Sequence, residues 1–349
     1  MKPTTLILRL TVLAALLPGL TPALSAAVGD DEQVLRTVST RPARDAAIER
    51  GLAWLRRQMR PDGTFAEGQH QGALSALALM AHFAAGVTGT DREHGGLIRR
   101  GLARFLEFQD PKGYFGAADD SRMYGHGIAT LLLSEVVGMN GDPALDERLR
   151  AALERAVALT LAAARIRKDA RHRGGWRYHP HDRDSDLSLS GWQLLGLRSA
   201  QAIGVTVDEA VVRAAATYVR SCISAQGLVC YQPGDREAPA LRGLALLAMA
   251  STGTADATIT TAIVRRLRAD PIAWGQPFFY YRCYYDAVGV SRADPEAWGA
   301  YRTTIENALL PRQQTDGSWP QGEAGPVYAT SMAVLALAVE RYLLPAYQR

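Results

Sequence analysis

Asp184-Ser185-Asp186-Leu187 is the segment of this chain whose residue types and spacing come nearest to chemistry. Two carboxylates, two positions apart, open a long apolar stretch. There they either cap the first turn of a helix, together with Ser188, or face a ligand; unpaired N–H groups and the helix dipole favour the capping use. Phe278, Phe279, Tyr280, Tyr281, Tyr284 and Tyr285 form a dense aromatic run. Their faces suit a positive centre, although aromatics at helical spacing more often fill a core. A basic stretch contains Arg165, Arg167, Lys168, Arg171, Arg173, Arg177 and Arg183, interleaved with His172, His179 and His181. It reads as a solvated loop or as a holder of phosphate or acidic polysaccharide.

The elements that must position these groups follow from a recurring turn. Asp62-Gly63-Thr64-Phe65, Lys112-Gly113-Tyr114-Phe115, Arg173-Gly174-Gly175-Trp176, Gln226-Gly227-Leu228-Val229 and Asp316-Gly317-Ser318-Trp319 share a glycine followed by apolar or aromatic residues. The glycines recur at roughly 50–60 residue intervals, with a double gap before the last that a weaker turn at Trp274-Gly275 divides, which is the signature of a repeat architecture. Before each turn the pattern is amphipathic: Ile48, Leu52 and Leu55 share one face, and Glu49, Arg56 and Arg57 lie on another. After each turn it is apolar nearly all round, so that helix must be buried on most sides.

These patterns predict outer helices at 46–59, 95–109, 143–165, 207–223, 256–269 and 295–313. Inner helices are expected at 72–86, 124–139, 187–204, 240–252, 277–290 and 326–344. The expected fold is all-α, six helix pairs in two concentric rings, with almost no sheet because no segment alternates with period two. Closure is favoured over an open solenoid because neither end shows a polar capping repeat.

Composition bounds the rest. The 349 residues are 48% hydrophobic and 21% charged, a packed globular mix. Thirty-nine basic against 35 acidic residues leave +4, too little to suggest nucleic-acid binding. Only Lys2, Lys112 and Lys168 are lysines, an arginine excess that reads as coding bias. Residues 1–27 have the parts of an export signal: Lys2 and Arg9, the apolar Leu10 to Leu17, a Pro18-Gly19 break and the small Ser25-Ala26-Ala27. The expectation is a periplasmic or extracellular domain over 28–349, with no membrane span left after cleavage. In an oxidising compartment the spacing of Cys222 and Cys230 permits a local disulfide, with Cys283 left as a core residue.

The repeats carry a family resemblance. Arg50-Gly51, Trp54, Gln58, Gly63 and Phe65 make one copy; Arg100-Gly101, Phe105, Gln109, Gly113 and Phe115 a second; Gln314, Gly317 and Trp319 a third. This pattern resembles the terpenoid cyclase and protein prenyltransferase toroids, above all the squalene–hopene cyclase branch and exported bacterial proteins with squalene-oxidase-type repeats. Gly174-Gly175-Trp176-Arg177-Tyr178, Ser190-Gly191-Trp192-Gln193 and the ending Tyr342 to Arg349 look like the latter group.

The resemblance implies an (α/α)6 toroid with a central cavity lined by Trp176, Tyr178, Trp192, Phe278, Tyr281, Tyr285, Trp319 and Tyr328. It implies an apolar or isoprenoid-like ligand, or a protein partner, and no cofactor. It also sets Asp184 and Asp186 beside the D-x-D-D motif of class II cyclases, whose third position protonates an alkene; that would make Asp186 the acid, with Asp184 as its neighbour. Leu187 departs from the motif by removing the second acidic partner. The zinc site of the protein prenyltransferases lacks its D-x-C and histidine here, so no metal is expected. The Cys-Gly-Glu-Gln of thioester toroids is absent as well. Rings of this class also host sugar hydrolases and lyases, for which Asp119, Asp120 and Glu67 are candidate carboxylates.

Overall fold

The computed structural model describes residues 42–341 apart from 67, 321 and 323. The export segment 1–27, Glu67 and the tail from Tyr342 lie outside the described residues. Twelve α-helices are found among those described: α1 (42–58), α2 (Gln71–Ala84), α3 (Gly95–Phe105), α4 (Arg122–Val136), α5 (Pro143–Ala164) and α6 (Leu187–Ala202). The second half adds α7 (Glu209–Ser221), α8 (Arg242–Ser251), α9 (Ala257–Ala269), α10 (Phe279–Ala293), α11 (Pro295–Leu309) and α12 (Gly325–Leu337). The extended pairings among these residues are isolated bridges, such as Trp176 with Asp186. Helix α1 begins four residues before the expected start. Helix α12 stops at Leu337 and passes into the 3-10 turn Val339–Arg341, short of the expected 344.

The hydrophobic patterning decides which helices go inside. Nearly every residue of α2 from Gly72 to Ala84 is buried, whereas α3 buries Ile98, Leu102 and Phe105 on one side. The even-numbered helices pack on one another in order, α2 on α4, α4 on α6, α6 on α8, α8 on α10 and α10 on α12; α12 then returns to α2. The inner ring is closed, and the odd-numbered helices pack outside it. Because each outer helix returns the chain, all six inner helices run in one direction.

Small residues allow the inner helices to approach closely. At Gly289 an added Cβ would fall 2.1 Å from the Gly243 carbonyl oxygen, so α8 and α10 touch backbone to backbone. The repeated turn docks each pair onto the next. Gly113 and Gly174 have φ of 91–92°, a region open to glycine at little steric cost. An added Cβ would meet the Arg155 carbonyl of α5 at 2.5 Å and the Ala214 carbonyl of α7 at 2.2 Å. Gly317 sits in the same way on the Arg50 carbonyl of α1, at 2.4 Å, so the last turn is seated on the first helix. Gly275, the weak turn, meets nothing.

At four of the turns the residue two after the glycine is anchored by the next inner helix. The Phe65, Trp176 and Trp319 amides donate to Ser75 Oγ, Ser190 Oγ and Thr330 Oγ1, and the Phe115 amide to His126 Nδ1. Gln109 Nε2 donates to the Gly113 and Ala152 carbonyls. At the final turn this job belongs to Gln313, whose Nε2 reaches the Gly317 and Ala47 carbonyls. Gln314, the glutamine that the repeat pattern sets in the third copy, instead accepts from Ser318 Oγ.

Three buried titratable groups set how this packing responds to acid. Burial pushes the His82 and His126 imidazoles down to about 4, and His126 Nε2 is committed to the Ala156 carbonyl and Thr160 Oγ1. Burial pushes Asp286 the other way, up to about 7, against the opposing pull of Arg282, Tyr301, Arg242 and the Gly243 amide. Between pH 6.5 and 4 the unfolded chain binds protons that the two native imidazoles refuse, so acid costs about 3 kcal/mol per histidine. Native Asp286 holds a proton that the unfolded carboxylate has lost between about 4 and 7, so acidification through that window restores about 4 kcal/mol. Urea titrations at pH 7 and pH 4 should therefore show a modest net loss for the native sequence. Asp286→Asn should lose about 4 kcal/mol more over the same interval; an unchanged pH dependence would exclude a proton on Asp286.

Candidate functional site

The parallel inner helices bring six N-termini to one end of the ring. The four described non-glycine residues with positive φ all lie there: His70 before α2, Asp120 and Arg122 at the start of α4, and Phe278 before α10. Backbone strain of this kind costs about 1–3 kcal/mol per residue and collects at functional sites.

Also at this end is Asp186, fully buried as the N-cap of α6. Its Oδ1 accepts from the Leu189 amide at 2.9 Å and from Ser188 Oγ at 2.8 Å. Its Oδ2 accepts from Arg177 Nη1 at 2.7 Å. The Trp176–Asp186 bridge holds the two strands of this loop together and places Arg177 beside the carboxylate. Ser188 lies 2.6 Å from the Tyr124 hydroxyl of α4. Arg177 Nη1 also donates to the Tyr231 hydroxyl at 2.9 Å, which lies 3.1 Å from that of Tyr178. The guanidinium stands 4.4 Å over the Tyr178 ring and 5.4 Å over that of Tyr231. Burial pulls Arg177 down, but its hydrogen bond and ion pair with Asp186 hold it above its usual value. Asp184 is half-exposed and pairs with Arg177 Nε at 3.1 Å.

The other wall comes from α10. Phe278, Tyr281 and Tyr285 follow one face at helical spacing, and exposure falls from 55% at Phe278 to zero at Tyr285. Tyr281 and Tyr285 lie 4.6 Å apart, and Trp192 of α6 meets Tyr285 edge-on at 5.3 Å. Burial, then the surrounding Tyr124, Tyr328, Asp186 and Tyr231, drive the Tyr281 phenol well above its usual value. Tyr328 of α12 is half-buried beside them.

The remaining sequence candidates have structural employment. Trp176 and Trp319 do not face this space: they fill the gaps between rings, their indole N–H groups donating to the Thr160 carbonyl of α5 and the Leu309 carbonyl of α11. Asp119 is buried and caps α2 through the Gly72 and Ala73 amides, while Asp120 pairs with Arg122 in solvent. The basic stretch divides among acidic partners, Arg165 with Asp208 and Arg171 with Asp235. Lys168 is turned inward onto the Gly175 and Asp184 carbonyls and Ser185 Oγ; burial pulls it down to about 8. Cys222, Cys230 and Cys283 are free thiols, so the spacing that permits a bridge is not used. Among the described residues no His, Cys, Asp and Glu grouping suits a metal ion, and no helix is long and apolar enough to cross a membrane.

No family model and no curated protein matches the sequence. Solved structures do. The type II terpene cyclase MstE from Scytonema is 14% identical, covers 87% of this chain and 99% of its own, and superposes with a TM-score of 0.56. A variant of MstE in complex with geranylgeranyl dihydroxybenzoate, its substrate, gives 15% identity and 0.54 over 87% and 99% of the two chains. A glycosidase in complex with glucose gives 14% identity and 0.56 over 87% and 98%. The chain is an (α/α)6 toroid.

Within the toroid, sequence reasoning missed Tyr124 and Tyr231 and left Arg177 among solvated charges. A usable signal existed for Tyr124, which, like Tyr281 and Tyr328, is an aromatic in the first turn of an inner helix that is otherwise small and apolar.

Proposed function

We propose that the toroid binds an apolar, isoprenoid-like molecule at the N-terminal end of its inner ring, and that residues 1–27 direct its export. The observation that carries this reading is the gathering of Tyr124, Tyr178 and Tyr231 about the Asp186–Arg177 pair, with Tyr281 and Tyr328 in the first turns of two further inner helices at the same end. Aromatic rings supply large contact area at low entropy cost. The MstE fold, which accepts a geranylgeranyl substrate, gives the reading general support.

Binding fits Asp186 better than proton donation does. A carboxylate that receives a guanidinium, an amide and a hydroxyl is held as an acceptor, whereas alkene protonation needs a neutral, donating carboxyl. The sugar-processing alternative is weakened by Asp119, whose Oδ2 is spent on the α2 amides and whose Oδ1 accepts from Ser121.

The test is retention of tritiated geranylgeraniol by the full chain in gel filtration, with maltotriose as the competing sugar. Geranylgeraniol should co-elute with the protein, and Tyr281→Ala should lower its affinity about tenfold or more, the worth of one well-packed aromatic contact. Retention of the sugar and not the lipid would sink the proposal.

A further inference from the structure

The two phenols deepest on α10 say more about the ligand than their rings do. Tyr281 Oη and Tyr285 Oη are buried, and neither has a hydrogen-bond partner in the protein. Tyr114 Oη and Tyr218 Oη are unpartnered as well, but they stand singly and away from α10, whereas other tyrosines near the site are served. Tyr124 reaches Ser188, Tyr178 reaches Tyr231, Tyr301 donates to Asp286 at 3.3 Å, and Tyr280 donates to the Pro320 carbonyl at 2.7 Å. A hydroxyl left buried and unpaired destabilises the fold. Two such groups lie on successive turns of one helix face, with rings in contact.

Their direction follows from the order of the inner ring. Helix α10 stands opposite α4, with α6 and α8 between them on one side and α12 and α2 on the other. Tyr285 nevertheless meets Trp192 of α6 at 5.3 Å, past the intervening α8, and the Tyr281 ring lies 4.6 Å from that of Tyr285. The two phenols therefore project into the middle of the ring. Burial raises both well above the ordinary phenol value, which keeps them neutral donors.

Resting on the reading of the site as an isoprenoid pocket, we infer that its ligand carries a neutral oxygen function, a hydroxyl or carbonyl, seated between Tyr281 and Tyr285. A pure hydrocarbon leaves both donors unsatisfied, while one oxygen with two lone pairs accepts from both. The function is neutral because Asp184 and Asp186 already balance Arg177 and the neighbouring Lys168, so a further anion would enter a buried site with no spare cation to meet it.

The experiment compares geranylgeraniol with the hydrocarbon of the same carbon skeleton, each titrated against the full chain. The alcohol should bind about tenfold or more tighter, the free-energy scale of the satisfied hydroxyls. The double variant Tyr281→Phe/Tyr285→Phe should lower the alcohol's affinity to that of the hydrocarbon. It should also melt no lower than the native protein, since it removes two unpaired buried hydroxyls. Equal binding of the two compounds, a preference that survives the double variant, or a clear fall in its melting temperature each overturn the inference while leaving the isoprenoid pocket standing. Retention of neither compound overturns the pocket and this inference together.

Discussion

Gly289→Ala should destabilise the protein by about 3 kcal/mol, the upper range for overpacking a tight core. In an ordinary exposed helix the same change gains up to about 1 kcal/mol, because alanine is the better helix former. Here the new methyl would stand 2.1 Å from the Gly243 carbonyl oxygen and 2.8 Å from its carbon, both backbone atoms that no rotamer change can move. Helices α8 and α10 would have to separate, and the Gly243 amide that donates to Asp286 at 3.2 Å would be drawn away with them. Gly96→Ala is the control, since nothing lies within 4 Å of its added Cβ. Chemical denaturation of the two variants decides the matter by sign: if Gly289→Ala stabilises as Gly96→Ala is free to do, the α8–α10 contact is not as described.

Arg177→Met should cost about 3–5 kcal/mol, the usual result of removing one partner from a buried ion pair. The side chain of Asp186 is 0% exposed and that of Arg177 only 20%, so solvent cannot replace the lost guanidinium. The carboxylate would keep Ser188 Oγ and the Leu189 amide but lose its cation, leaving a buried charge uncompensated. Arg177→Met/Asp186→Asn should recover much of the stability, the amide still accepting at the helix N-terminus. A double-mutant cycle that finds no coupling between the two positions would contradict the geometry of this end of the ring.

The helices were legible because their apolar residues follow two distinct periodic patterns, one-sided for α3 and all-round for α2 and α12. The turns were legible because positive φ and close docking leave glycine in place at 63, 113, 174, 227 and 317. Ring closure was argued from the lack of a polar end and is seen in the seating of Gly317 on α1 and of α12 on α2. Asp186 and the aromatic stripe of α10 were visible as a motif and a cluster. Beyond Ser188, the groups around Asp186 were not. Tyr124 and Tyr231 each stand alone on different elements, and Arg177 looked like one charge in a basic run. Only the Trp176–Asp186 bridge brings that arginine onto the carboxylate. Trp176 and Trp319 were misplaced for the opposite reason: an aromatic beside a turn glycine suits a cavity wall and an inter-ring plug equally well until the indole N–H finds its carbonyl.

A ring in which every pair leans on the next has no first pair. Arg341 already reaches Asp45, joining the two ends of the described fold by an ion pair at 3.3 Å. The order in which the hairpins are strung is thus a property of the gene more than of the object it encodes. The loop at Gly275, which rests on no neighbour, is where the thread matters least.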